Sequence, residues 1–241
     1  MFDRYHGHCI HLDMEHMNVH ELWKRRLELL QELISAGVDC IFSDADAFWL
    51  DNMASHVLRQ ATEHDASIVA SRGSFPTTEG KKWGATLCMG FIYFKSCPAT
   101  VLLTERMVEL YEQTKDDQKS INKALDETNI KWRTRLTYIE STVIEYGDTS
   151  FKNHPLTVAM LPHNQVMRRC PTDPYVIPNS VGVAHCLTHK NGASKKEAAS
   201  EYNLWVIKDE QQVEDAKKNE DIKTWNEFVH AIADTTVLDS L

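Results

Sequence analysis

The stretch Ile41-Phe42-Ser43-Asp44-Ala45-Asp46-Ala47-Phe48-Trp49-Leu50 sets two carboxylates two residues apart, directly after the apolar run Val38–Phe42. A short apolar run bounded by turn signals reads as a buried strand. Upstream of it, Leu22, Trp23, Leu27, Leu30, Leu33 and Ile34 recur at helical spacing, with Asn18 placed as N-cap and Gly37 as stop. A helix that delivers directly into a strand is half of an α/β unit. Carboxylates at the carboxyl end of such a strand lie where open α/β sheets bind ligands. Two acidic side chains converging there repel each other unless a cation or a shared proton compensates them. Hard divalent cations are held by one or two carboxylates together with substrate phosphates. Asp44 and Asp46 are therefore read as a metal site for a phosphate-bearing substrate. A turn in which one aspartate caps the next helix and the other is solvated is the alternative.

Downstream, the pattern continues to alternate. Met53–Ala61 reads as a short helix and Ala66–Ala70 as a strand, while Ser71–Gly84 has the composition of a long loop. Leu87–Phe94 is a buried strand in which Gly90 marks a close backbone approach. Pro98 opens a helix with an apolar face at Val101, Leu102, Met107, Val108 and Tyr111, and Asp117-Gln118 precede a shorter one. Lys131–Tyr146 holds one or two strands, and Leu156–Leu161 another. Pro162–Ser180 is irregular, and Val181–Ala184 is apolar and ends on His185-Cys186. Gly192–Leu204 is basic and compatible with a helix, and Trp225, Phe228, Val229 and Ile232 predict a final amphipathic helix. No repeat or low-complexity linker divides the chain. The expectation is one α/β domain over 1–241, with a core of about 20–207 and a helical tail over 208–241.

The net charge of -9 argues against a non-specific nucleic-acid binder, which needs a basic footprint. No run approaches the roughly 18 apolar residues of a membrane helix. Met1–His8 is polar, so a soluble chain without a visible signal peptide or anchor is expected. Six scattered cysteines form neither a disulfide framework nor a zinc-ribbon pattern. Cys40 and Cys88, inside apolar runs, read as small core residues. His6, His8, His11, His16 and His20 are compatible with a metal cluster, but a short strand at His8–Leu12 with a polar loop accounts for them. No Asn-x-Ser/Thr acceptor occurs.

Four segments together resemble the nucleotide-diphospho-sugar transferase family, glycosyltransferases of the GT-A fold that include plant xylosyl- and arabinosyltransferases. Ile41–Leu50 resembles its Asp-x-Asp segment, and Gly90-Phe91-Ile92-Tyr93-Phe94-Lys95-Ser96 its glycine-led strand. Asp117-Gln118-Lys119-Ser120-Ile121-Asn122 is similar to its Asp-Gln-x-x-x-Asn helix start. Val183-Ala184-His185-Cys186, followed by Gly192, Lys195 and Tyr202-Asn203-Leu204-Trp205, is similar to its closing block.

The resemblance implies a GT-A-like, Rossmann-like fold with a mixed, mainly parallel sheet flanked by helices. It implies a hexosyl- or pentosyltransferase that uses Mn2+ (or Mg2+) and a nucleoside-diphosphate sugar, and that retains anomeric configuration. Asp44, Asp46 and His185 would hold the metal, and Asp44, Gly192 and Lys195 the donor diphosphate. Asp117 and Gln118 would face the sugar or the acceptor, although helix capping also explains them. His185 read alone is an ordinary strand-end histidine, and Lys195 and Lys196 a solvated basic patch. The partners implied are a nucleotide-sugar donor and a glycan acceptor, and the setting implied is the Golgi lumen. Only Met1–Asp39 precedes the motif, so the nucleotide-binding start of a GT-A domain is expected to be shortened. Two rivals remain. A non-catalytic binding domain on a degenerate transferase scaffold is one. The other is a haloacid dehalogenase-type phosphatase, in which the first aspartate is a nucleophile and the second an acid/base, but Phe48 stands where that motif carries Thr or Val.

Overall fold

The computed structural model describes residues 18–44, 46–138, 141–168, 180–185 and 197. Helix α1 (Val19–Ser35) starts on a capping box. Asn18 Oδ1 accepts from the backbone N–H of His20 and Glu21, and Glu21 Oε2 accepts from Asn18 N–H. These contacts satisfy N–H groups that a helix start leaves without intrahelical partners. Leu27, Leu30 and Ile34 bury one face, and Gly37, at φ 87°, turns the chain into β1 (Cys40–Ser43).

After β2 (Phe48–Trp49), helix α2 (Met53–Glu63) and β3 (Ile68–Gly73) follow as the pattern predicts. The expected loop over Ser71–Gly84 is largely ordered instead. Strand β3 runs through Gly73, and helix α3 (Thr77–Trp83) fills most of what remains. Gly73 serves close packing rather than a turn, since a Cβ there would lie 2.9 Å from Thr86 Oγ1. Next come β4 (Thr86–Phe94), α4 (Pro98–Thr114), α5 (Asp117–Glu127), β5 (Lys131–Trp132), β6 (Glu145–Phe151), β7 (His154–Met160), β8 (Val166–Met167) and β9 (Val183–Ala184).

A six-stranded sheet has the order β1-β4-β3-β7-β6-β5, and a three-stranded one the order β2-β9-β8. The class is the expected mixed α/β sheet flanked by helices, but the pairing is not mainly parallel. In the large sheet only β3–β7 is parallel; β1–β4, β3–β4, β6–β7 and β5–β6 are antiparallel. Connectivity gives the reason. Strands β6 and β7 form a tight hairpin whose turn residues Lys152 and Asn153 both have positive φ. Helices α4 and α5 follow one another with no strand between them, so the repeated crossovers that build a parallel sheet are absent from that stretch.

One face of the large sheet packs on α1, α4 and α5 through Leu27, Leu30, Ile92, Phe94, Leu103, Met107 and Ile121. The other face meets α2 and the small sheet through Val57, Val69, Phe91, Tyr93, Ala159 and Val183. On β4 the first face takes Leu87 and Met89 and then Ile92 and Phe94, so the two-residue alternation slips. The register against β3 slips at the same place, from Ala70↔Ile92 to Ser71↔Cys88. This bulge pushes the backbone around Gly90 out of the β3 ladder, and the Gly90 carbonyl accepts the Asp44 N–H at 2.9 Å.

Two buried polar nodes fix the surroundings. Asn122 on α5 clips both backbone groups of Leu87, accepting from its N–H at 2.9 Å and donating to its carbonyl at 2.8 Å. Arg72 on β3 is fully buried and ion-paired to Glu145. Its remaining N–H groups donate to the carbonyls of Leu161, Thr137, Val143 and Met160 at 2.8–3.1 Å. Among the described residues no helix is long and apolar enough to cross a membrane.

Candidate metal and donor site

Asp44 leaves β1, Asp46 enters β2 and His185 leaves β9. The small sheet explains their meeting. Phe48 pairs with Ala184 in antiparallel register, so the residues just before β2 lie beside the residue just after β9. His185 Nε2 is 3.4 Å from Asp46 Oδ1 and 3.7 Å from Asp44 Oδ2. One potential ligand atom from each of the three residues falls within 4.8 Å of the others. Gly90 makes this possible, because a Cβ there would stand 1.9 Å from His185 Cε1 and 2.8 Å from Asp44 Oδ2. The close approach read from the sequence is therefore an approach to these two side chains.

Charge compensation is shared. Arg26 on α1 donates to Asp44 Oδ1 at 2.8 Å, lies 4.0 Å from Asp117 Oδ2 and stacks over Phe42 at 4.2 Å. Burial lowers the affinity of the His185 imidazole for a proton. Hydrogen bonds with Asp46 and the Cys88 thiol outweigh that effect, and the pKa stands above its ordinary value. On the opposite nitrogen, Nδ1 faces the guanidinium of Arg168.

Asp117 and Gln118 open α5, as expected. The cap itself belongs to Asp116, whose side chain accepts the Lys119 N–H, so capping does not account for Asp117. Asp117 is buried, and burial pushes its carboxyl up to about 6 against the opposing pull of Arg26. Gln118 donates to the Phe75 carbonyl. Asp117, Gln118, Arg26, Asp44, Gly90 and Phe75 line one cleft of about 180 Å³. The geometry thus brings Asp44, Asp46 and His185 together and sets Asp117 and Gln118 across the cleft from Asp44. Gly192, Lys195, the tail over 208–241 and the histidines before Asn18 lie outside the described residues.

Two arginines escaped the sequence reading. Arg26 had a signal: it sits among Leu22, Trp23, Leu27 and Leu30, a charge on the apolar stripe of α1. Arg168, in the Arg168-Arg169 pair of an irregular stretch, had none.

Two carboxylates and one imidazole form a donor set suited to a divalent cation. Asp44 would ligate through Oδ2 while Oδ1 keeps Arg26, and His185 through Nε2 once that nitrogen is unprotonated. Ligation there leaves the ring proton on Nδ1, which then has no lone pair to offer Arg168.

The sequence model of a family described as nucleotide-diphospho-sugar transferase matches residues 12–198. No curated protein and no solved structure gives a significant match.

Proposed function

The chain belongs to the nucleotide-diphospho-sugar transferase family, and from that premise we propose a divalent-metal-dependent glycosyltransferase that moves a sugar from a nucleoside-diphosphate sugar to a hydroxyl of a glycan or glycoprotein. The observation that carries the metal dependence is the convergence of Asp44, Asp46 and His185 at one end of the small sheet. When bound, Mn2+ or Mg2+ supplies Lewis-acid charge that steadies the departing diphosphate.

The chain's own groups do the rest. Arg26 orients Asp44 and offsets its charge, so that one oxygen stays turned toward His185. Phe75 and the first turn of α5 wall the cleft in which the sugar ring is held. Gln118, with an amide N–H engaged by Phe75, keeps its carbonyl oxygen to accept a sugar hydroxyl. Asp117 has a proton affinity displaced toward neutral pH, which suits a group that accepts or returns a hydroxyl proton. Gly192 and Lys195 are assigned to the diphosphate from their place in the closing motif. Retention of configuration remains the expectation from the resemblance.

Calorimetric titration of manganese, with and without a nucleoside diphosphate, tests the reading. Each should strengthen binding of the other, and Asp46→Ala should abolish that coupling. Tight nucleoside diphosphate binding that ignores both manganese and the Asp46→Ala substitution would sink it.

A further inference from the structure

The small sheet lines up a third side chain beside the pair it was seen to assemble. Strands β8 and β9 are parallel with Met167 opposite Ala184, and His185 N–H donates to the Met167 carbonyl at 2.8 Å. Arg168 and His185 therefore leave adjacent parallel strands at their carboxyl ends, the edge at which open α/β sheets receive ligands. Across that edge run Asp46, His185 and Arg168, with Asp46 on Nε2 of the imidazole and Arg168 on Nδ1.

Arg168 is only 4% exposed. Its Nε has no hydrogen-bond partner, and among the described residues no carboxylate pairs with it. Arg72, fully buried, is neutralised by Glu145 and has four carbonyls on its remaining N–H groups. A buried guanidinium left without a counter-ion is strongly unfavourable unless an anion arrives. The Cys88 thiol lies beside Arg168 and His185. Burial raises its pKa, and Arg168 and His185 more than offset that, leaving it below the ordinary value.

We infer that Arg168 is a donor-binding residue whose counter-ion is the diphosphate of the nucleotide sugar, received on the Nδ1 side of His185. The inference rests on the glycosyltransferase reading. It adds a cation fixed in the small sheet to the metal and the basic closing motif, and its planar fork suits the paired oxygens of a phosphate.

The test is calorimetry with UDP, GDP and CDP in the presence of manganese, with the matching nucleosides as controls, on the wild-type chain, Arg168→Gln and Arg168→Lys. Arg168→Gln should bind the preferred diphosphate at least tenfold more weakly, with nucleoside affinity unchanged. Its ligand-free Tm should match or exceed that of the wild type, because an uncompensated charge has gone. Arg168→Lys, the fallback if Arg168→Gln does not fold, should lose several-fold through loss of the fork. Either folded variant binding the diphosphate as the wild type does overturns the assignment. A permanent Cys88 thiolate counter-ion is the other outcome. Diphosphate affinity would then be unchanged, and Arg168→Gln would lower Tm as much as Cys88→Ala does. A wild-type chain that binds none of the three diphosphates overturns the glycosyltransferase reading itself, which separates that failure from this one.

Discussion

The two sheets treat charge in opposite ways. In the six-stranded sheet the buried ionic node is closed: Arg72 meets Glu145, and its other N–H groups find backbone carbonyls. At the edge of the three-stranded sheet the charges are gathered rather than paired off one to one. Asp44 and Asp46 both face one imidazole, Asp44 also meets Arg26, and Arg168 has an idle Nε. The first arrangement locks β3, β6 and the turn after β7 into one register. The second concentrates charge at one edge, which is where the proposed metal and diphosphate would sit. Saturation marks structure, and incomplete saturation at a strand end marks a site.

The sharpest break in that contrast is Glu145→Ala. Leaving Arg72 buried and unpaired should cost about 3–5 kcal/mol in urea unfolding, and a loss below 1 kcal/mol would erase the distinction between the two sheets. Asp46→Ala should do the reverse, lowering transferase turnover roughly 10²–10³-fold, the scale seen when one preorganised electrostatic group is removed, while the urea midpoint barely moves.

Asp117 gives a pH-dependent test. Its carboxyl stands at about 6 in the folded chain against 3.8 ordinarily, so the folded state keeps a proton that the unfolded state has already lost. Stability contributed at this position therefore falls as pH rises from about 4 to about 6 and stays reduced above that window. Asp117→Asn should raise stability at pH 7 by about 1–3 kcal/mol, and the advantage should vanish as the pH is lowered toward 4. A constant gap across the range would remove the buried-carboxylate account. The smallest effect belongs to the scaffold: Asn18→Ala should cost about 1 kcal/mol through the lost N-cap, read by thermal unfolding, with nucleotide affinity unaltered.

Local signals carried much of this. The capping residue Asn18, the stop at Gly37, the apolar runs into β1 and β4, and Pro98 at a helix start are visible because each acts within a turn or two of chain. Gly90 was legible as a close approach, though not what it approached. Strand partners were not legible: β1–β4 and β3–β4 are decided by pairings many residues apart, so the sheet is far more antiparallel than expected. The strand end at Ser71–Gly73 was hidden because serine and glycine score as turn formers, while Gly73 is used for its small size beside Thr86 and Gln118. Arg168 was invisible, since only the β8–β9 pairing distinguishes it from a solvated arginine.

Strand β9 is the middle member of β2-β9-β8, so neither outer strand has a partner in that sheet without it. During synthesis from the N-terminus, every strand of the large sheet has emerged by Met160, whereas Val183-Ala184 comes later. A nascent chain can therefore finish its platform while Asp44 rests on Arg26 alone, with no imidazole to complete the trio. Assembly order itself completes the Asp44, Asp46 and His185 trio only after the scaffold that holds it is already built.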